Sequence, residues 1–592
     1  MLAFNKDKPL QAFIYVPQWN SAKACREIRP LEIRWPHESI SHDFERRPHL
    51  YDMSMVDPLD YESPSYTEHP ITMKHGRSTL PVGYYSDKVA LGKNDSFYRG
   101  SGGCTYVRER RTFWIIRQCD ICKCGCGGAC TNDAIQIEMN NSFNKLQDGE
   151  YMTERRDGRP WLKSDEWRKQ KAGQALPIRG AVCEYRGDWP ERAMKAAIKG
   201  HGAIAGCGCC SAVKSNMHSK YDECNLFSLP WRERDHAEMS RMLQLQLRKV
   251  RVDTLEAKVK LVDSLRWLTK HPWGRRVKPY HGQRFGLRAM DKLCCGGSIG
   301  TDLHSLDGLS VPFEVIFFRP EENTPFIGIP VMWDVEGVHE FGIKHFRIDF
   351  FVDCILHTVD LGLAQRIAGP SLMCLLKNDI YRLKEPTEQG TLERGALHMR
   401  KDLKKHYRAY HVRGHKKLSR IQAFTLQKLG DPKKPCLKAK GAQSRAAVWF
   451  ARDMLAKHAA RCGQQGAYLH EACDQLIKWY DLVKAEPRNM RVAKKIQLFG
   501  HAMSHLQAYK AGGGHMVPKH HGFIHLTKSI LTSGNPRFSG TYEDENENGE
   551  IADICGKVHR LTMVKSTFER LDVKETMEET LTEMMVLAIL RP

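Results

Sequence analysis

The 592-residue chain carries 91 Lys and Arg against 69 Asp and Glu, a formal net charge of +22, and is 41% hydrophobic. That apolar fraction excludes wholesale disorder, and the length predicts about three to five domains with ample core. No run approaches the ~20 apolar residues of a bilayer span, and the opening MLAFNKDKPLQAF lacks the order of a signal peptide. The expectation is a soluble, intracellular protein with no membrane partner, whose positive surplus suits a polyanion.

Residues 1–110 are rich in Pro, Tyr, His and Asp with little periodicity, which predicts loops and short strands packed on another body. A Cys-rich segment follows at 111–145, opened by the strand-like TFWIIRQC. AGQALPIRGAVCEYRGD alternates as a strand ending at Asp188, and Pro190 opens a helix over 190–199. Residues 233–268 read as a long polar helix. Strand character returns over 308–353 in GLSVPFEVIFF, FIGIPVMWDV and HFRIDFFVD. From about Leu361 to Leu526 nearly every segment is helical in pattern, with polar breaks at 386–391 and 430–443. An acidic start and two helical patterns close the chain over 541–592.

The 20 cysteines are unevenly spaced. Without secretory targeting, tight clusters point to thiolate metal ligands and not to disulfides. The first cluster, Cys119, Cys122, Cys124, Cys126 and Cys130, exceeds the need of one tetrahedral Zn²⁺, so its register is open and Cys104 can join it. Cys119, Cys122, Cys126 and Cys130 are the candidate ligands. In the second, Cys207 and Cys210 form a CxxC pair, with Cys224 and His218 near enough to complete four ligands. His515, His520, His521 and His525 read as satisfied or surface histidines. There is no Walker-type loop, and the glycines at 200–206 follow a helix and not a strand, so no nucleotide cofactor is expected.

Asp188 and Asp353 each end a strand. Two such strands side by side would place carboxylates close enough to share Mg²⁺ or Mn²⁺, the arrangement that phosphoryl transfer requires. The acidic run Glu543–Glu550 offers a third, Glu545 first and Glu550 as substitute; Asp349 and Asp360 compete with Asp353. The densest basic stretch is 400–420: Arg400, Lys401, Lys404, Lys405, Arg408, Arg413, Lys416, Lys417 and Arg420 against Asp402 alone. Tyr407 and Tyr410 are interleaved there, where stacking on bases would suit nucleic acid.

RGDWPE, the nearby CxxC, VDCILHTVDLGLAQRIAG, the helical block, PKHHGFIHL and TYEDENENGEIADICGKVH, in that order, resemble the zinc-bearing DDE/D transposases of eukaryotic cut-and-paste elements, loosely the CACTA-like ones. The resemblance spans about residues 150–570. It implies an α/β, RNase H-like mixed-sheet core over 146–370 with a zinc insertion near 200–225. A helical insertion at 371–530 and a closing helical segment of the core at 531–592 would follow. It also implies catalytic Asp188, Asp353 and Glu545, DNA as partner, a homo-oligomer and a nuclear location. The implied function is divalent-metal-dependent DNA strand cleavage and transfer. The alternative is an inactive, transposon-derived protein that binds zinc and DNA.

Overall fold

The computed structural model describes residues 10–188, 207–233 and 342–589, apart from short stretches at 92–94, 108–109, 124–127, 157, 208, 214, 382–384 and 413–418. It also describes a two-strand pairing of Val250–Val252 with Phe313–Val315. The helix expected at 190–199, most of the 233–268 helix and most of the strands expected over 308–341 lie outside the described residues.

Six strands form one mixed sheet in the order β1-β2-β5-β4-β3-β6. They are β1 (Gln11–Asn20), β2 (Cys25–Arg34), β3 (Thr79–Ala90), β4 (Ser96–Cys104), β5 (Arg111–Arg117) and β6 (Arg179–Arg186). All neighbours are antiparallel except β3 and β6, which run parallel from Thr79↔Arg179 to Tyr85↔Arg186. An isolated parallel bridge from Tyr185 to Phe351 extends the sheet past β6, and the Val352 N–H donates to the Tyr185 carbonyl at 3.1 Å.

The N-terminal 110 residues therefore build most of the sheet, which corrects their reading as a dependent, loop-rich region. Strand β3 hid because its first eight residues are all buried, so the hydrophobic alternation of a half-exposed strand is missing. Strand β4 hid behind its glycines. A Cβ at Gly100 would lie 2.1 Å from Trp114 Nε1, so the crowded ring dictates the residue.

Helix α1 (Pro36–Arg46) follows β2, and α2 (Ala129–Asp148) arises within the Cys-rich segment, ending at Gly149 with φ +72°. Ile135, Met139, Phe143 and Leu146 of α2 pack on Val82, Tyr84, Phe113 and Val182, covering one sheet face. After the bridge come α3 (Leu356–Leu363, a π-helix), α4 (Ala364–Lys377), α5 (Glu388–Val412), α6 (Gly441–Lys457) and α7 (Ala459–Ala485). Helices α8 (Val492–Ala511), α9 (Pro518–Lys528), α10 (Tyr542–Gly556) and α11 (Met563–Ile589) complete the chain. Ile551 and Cys555 of α10 and Phe568 and Leu571 of α11 bury Val89, Phe97 and Ile115 on the other face. The sheet is thus covered on both sides, a mixed α/β arrangement.

Helices α3 to α9 build a second core around Leu372, Trp479, Leu506 and Phe523, and the segment from Cys207 to Trp231 packs into it. No described helix is long and apolar enough to cross a membrane.

Candidate functional site

Two sites stand out, one where the sheet meets α3 and α10 and the other in the helical block. The first begins with the β3–β6 register. Tyr85 pairs with Arg186, the last pair of β3 and β6; two residues further on stand Asp87, within β3, and Asp188, just past the end of β6. Neighbouring strands are about 4.8 Å apart, so the two carboxylates share one locality.

Helix α10 lies over the sheet here. Asp544, Asn548, Ile551 and Cys555 are its buried positions, a spacing that aims one stripe at the sheet. Asn548 Nδ2 donates to the Tyr85 hydroxyl at 2.9 Å, and Arg99 Nη1 donates to Asn548 Oδ1 at 2.9 Å. The Tyr85 hydroxyl lies 2.9 Å from Asp87 Oδ2 and 3.3 Å from Glu545 Oε1, so a single side chain touches the carboxylates of strand and helix. Burial, then the charges of Glu545 and Asp188, push the Asp87 carboxyl up to about 7.

Helix α3 supplies the flanking cation. His357 Nε2 stands 3.5 Å from Glu545 Oε1. Burial opposes the charge of this imidazole, but Cys354, Glu545 and Asp188 outweigh it and push it up to about 9. Lys519 of α9 donates to the His357 and Leu361 carbonyls at 2.8 and 3.3 Å, and its stem lies across Gly362, where a Cβ would come within 2.9 Å. A π-turn at this point is a recurrent mark of functional sites.

The charges of Asp188 and Glu545 both bear on Asp87, a carboxylate not among those expected from the sequence. Asp353 is buried, two residues after the Tyr185–Phe351 bridge. Of the competitors, Asp360 is tied to Tyr480 and Asp349 to Arg347 at 2.9 Å. Glu550 pairs with Lys574 on the outer side of α10.

The second site joins Cys207 and Cys210 to His521 and His525, all four buried, with their ligand atoms within 4.8 Å of one another. Each sulfur lies 3.3 Å from an imidazole Nε2, Cys207 from His525 and Cys210 from His521, and the two Nε2 atoms are 3.1 Å apart. Tetrahedral Zn²⁺ with its usual bond lengths needs edges of roughly 3.3–3.8 Å. Proline at the first position of α9 starts a helix that carries the two histidines four residues apart on one face. His521 Nδ1 donates to the Met217 carbonyl at 3.2 Å, which leaves Nε2 free for a metal. The Cys209 and Ala212 N–H groups donate to the sulfurs of Cys207 and Cys210 at 3.3 and 3.4 Å. The donor set fits zinc.

The distal pair thus differs from the expected one. His218 Nδ1 is bonded to the Tyr221 hydroxyl, and Cys224 donates to the Lys220 carbonyl at 3.3 Å. His521 and His525 were legible as an i, i+4 pair in PKHHGFIHL. Their ligand role was not, because their partners lie more than 300 residues away. Of the first cluster, Cys119 is half-buried and Cys122 buried; Cys124 and Cys126 lie outside the described residues, as does the Cys130 side chain.

On α5, Leu392, Ala396, Met399, Leu403 and Tyr407 are buried, which leaves Lys401, Lys404, Lys405 and Arg408 exposed as a cationic stripe. Arg420 is exposed and Arg400 half-buried, its guanidinium donating to the Gln422 carbonyl; Arg413, Lys416 and Lys417 lie outside the described residues. Tyr407 is corrected: only 3% exposed, with its hydroxyl accepting from the Ile421 N–H at 3.3 Å, it offers no stacking face.

Comparison with family models and with curated proteins finds no match to this chain.

Proposed function

We propose that the chain is a DDE/D transposase-like enzyme that cleaves and transfers DNA strands. Asp87, Asp188 and Glu545 serve as its metal-holding carboxylates, on an RNase H-like core. The observation that carries this reading is the contact of the Tyr85 hydroxyl with both Asp87 of β3 and Glu545 of α10, with the charge of Asp188, just past β6, bearing on Asp87. The sheet order supports it. Five antiparallel strands, the last of them β3, are followed by β6, which pairs parallel with β3, and Asp87 and Asp188 each come two residues after the last parallel pair.

The donor set is all carboxylate oxygen, the ligand type of Mg²⁺ and Mn²⁺, and a divalent charge would offset the Glu545 and Asp188 charges that add to burial in raising Asp87. When bound, such ions polarise the scissile phosphate and activate the attacking and leaving oxygens. Asp87 and Asp188 fix the metal-facing oxygens on the sheet, and Glu545 closes them from the helix. His357 holds a proton at Nε2 beside Glu545, in place to neutralise a departing oxygen. The stripe at Lys401, Lys404, Lys405 and Arg408 holds phosphates away from the chemistry. Zinc at Cys207, Cys210, His521 and His525 staples the segment that follows Asp188 to α9, and so to Lys519 and α3. Work on DNA implies a nuclear location.

A nicking assay on supercoiled DNA tests the reading. Mg²⁺- or Mn²⁺-dependent cleavage is lost in Asp188→Asn and Glu545→Gln; cleavage that persists in both sinks it.

One observation favours a second reading. Among the described residues, the Cys2His2 group is the only set of three or more such side chains already closed to metal-binding distance. A protein that binds zinc and DNA without catalysis would show salt-dependent DNA affinity, unchanged in those variants, and no cleavage with any metal.

A further inference from the structure

Beneath the acid site lies a group of buried charges that the proposed chemistry does not use. Arg186 Nε lies 3.2 Å from Glu184 Oε1 on its own strand, and its Nη1 lies 3.5 Å from Asp544 Oδ2 on α10. Arg488, from the α7–α8 connection, pairs with the other Glu184 oxygen. Arg110 approaches Asp544 Oδ1 at 3.7 Å and donates to the Cys104 carbonyl at 3.0 Å, which ties the group to the end of β4. Glu184, Arg186, Arg488 and Asp544 are each 1% exposed or less. Burial disfavours the Glu184 charge, but Arg488, Arg186 and Arg110 outweigh it and hold the carboxyl below its usual range.

Buried ion pairs rarely add stability over an apolar core of the same volume, so their use is more often to fix a register. The strand makes room for this one. A Cβ at Gly83 would lie 2.6 Å from Arg186 Nη2 and 2.9 Å from Glu184 Oε1. The group also joins the elements that matter: Arg186 is two residues before Asp188, Asp544 is one residue before Glu545, and Gly83 is four before Asp87.

We propose that Arg186 is a positioning residue which, through Asp544, sets the gap between Asp188 and Glu545 and so the affinity of the acid site for a divalent ion. The inference rests on the acid-site reading above. Mg²⁺ demands near-ideal octahedral geometry, so a loosened gap penalises it heavily. Arg186 touches neither metal nor DNA in this account.

The test is Mn²⁺ binding, followed by electron paramagnetic resonance, to the full-length, zinc-loaded protein. Arg186→Met and the nearly isosteric Asp544→Asn each weaken Mn²⁺ binding at least tenfold, while zinc content stays at the wild-type value. Arg186→Lys, which keeps the charge without the fork, recovers part of the affinity. Mn²⁺ binding at wild-type strength in folded Asp544→Asn or Arg186→Met overturns the positioning role. No Mn²⁺ bound by wild type, or binding indifferent to Asp87→Asn, overturns instead the acid-site reading and the inference with it.

Discussion

The Cys2His2 cluster takes two ligands from α9, whose Lys519 also reaches α3 beside the carboxylates, and the two clusters are built on opposite principles. The first is closed: four buried donors within 4.8 Å of one another, with N–H groups already aimed at both sulfurs. Its geometry is satisfied by packing, as a structural metal site requires. The second is open and electrostatically frustrated. Burial and the charges of Glu545 and Asp188 raise the Asp87 carboxyl, and His357 lies 3.5 Å from Glu545. A site that must take up ions, substrate and water in turn benefits from that lack of closure.

The contrast can be broken most forcefully at the zinc side. Cys207→Ser or His525→Ala, or a strong chelator, removes the staple between the Cys segment and α9. We expect a loss of several kcal/mol and a large fall in the thermal midpoint, read by calorimetry alongside zinc content. The same change at the acid side should have the reverse sign. Asp87→Asn abolishes cleavage by about 100-fold or more, equivalent to several kcal/mol of barrier, yet raises the thermal midpoint of the metal-free protein because a repelled charge is gone.

The pH dependence sharpens this further. Asp87 is pushed up to about 7 from the ordinary carboxylate range, so the native state holds a proton that the unfolded chain releases. Its contribution to stability is complete below about pH 4 and is lost as pH rises through about 7. The wild-type protein without added divalent ions should therefore lose stability relative to Asp87→Asn across that window, and Mn²⁺ should restore it. Denaturant titrations of both proteins from pH 4 to 8 measure the difference. The smallest effect is expected on α5. Each of Lys404→Ala and Arg408→Ala lowers the salt slope of DNA affinity by about one, with the fold intact. Tyr407→Ala, which empties a buried position, costs about 3 kcal/mol of stability instead.

Local features of both sites were legible in the chain, and their long-range partners were not. Asp188 stands out at the end of an alternating strand, and the acidic face of α10 announces itself in YEDENENGE. Asp87 does not, because β3 is buried along most of its length and reveals its neighbours only through a parallel pairing with β6 a hundred residues away. Asp353 ends an apolar run and is buried just after the bridge from Phe351 to Tyr185, and the sequence alone does not say which carboxylates meet. The CxxC pair was visible as half a zinc site. The other half lies on α9, beyond a long helical block, and neighbours in sequence were a poor guide to neighbours in space. Tyr407 shows the same limit on a helix, since the face that looked available for bases is the one that faces the core.

The most direct measurement compares Mg²⁺-dependent DNA nicking by two single variants of the full-length, zinc-loaded protein, Asp87→Asn and Asp353→Asn, each checked for folding and zinc content. The account predicts that nicking disappears in Asp87→Asn and survives in Asp353→Asn. Nicking that survives in Asp87→Asn and disappears in a folded Asp353→Asn would contradict it.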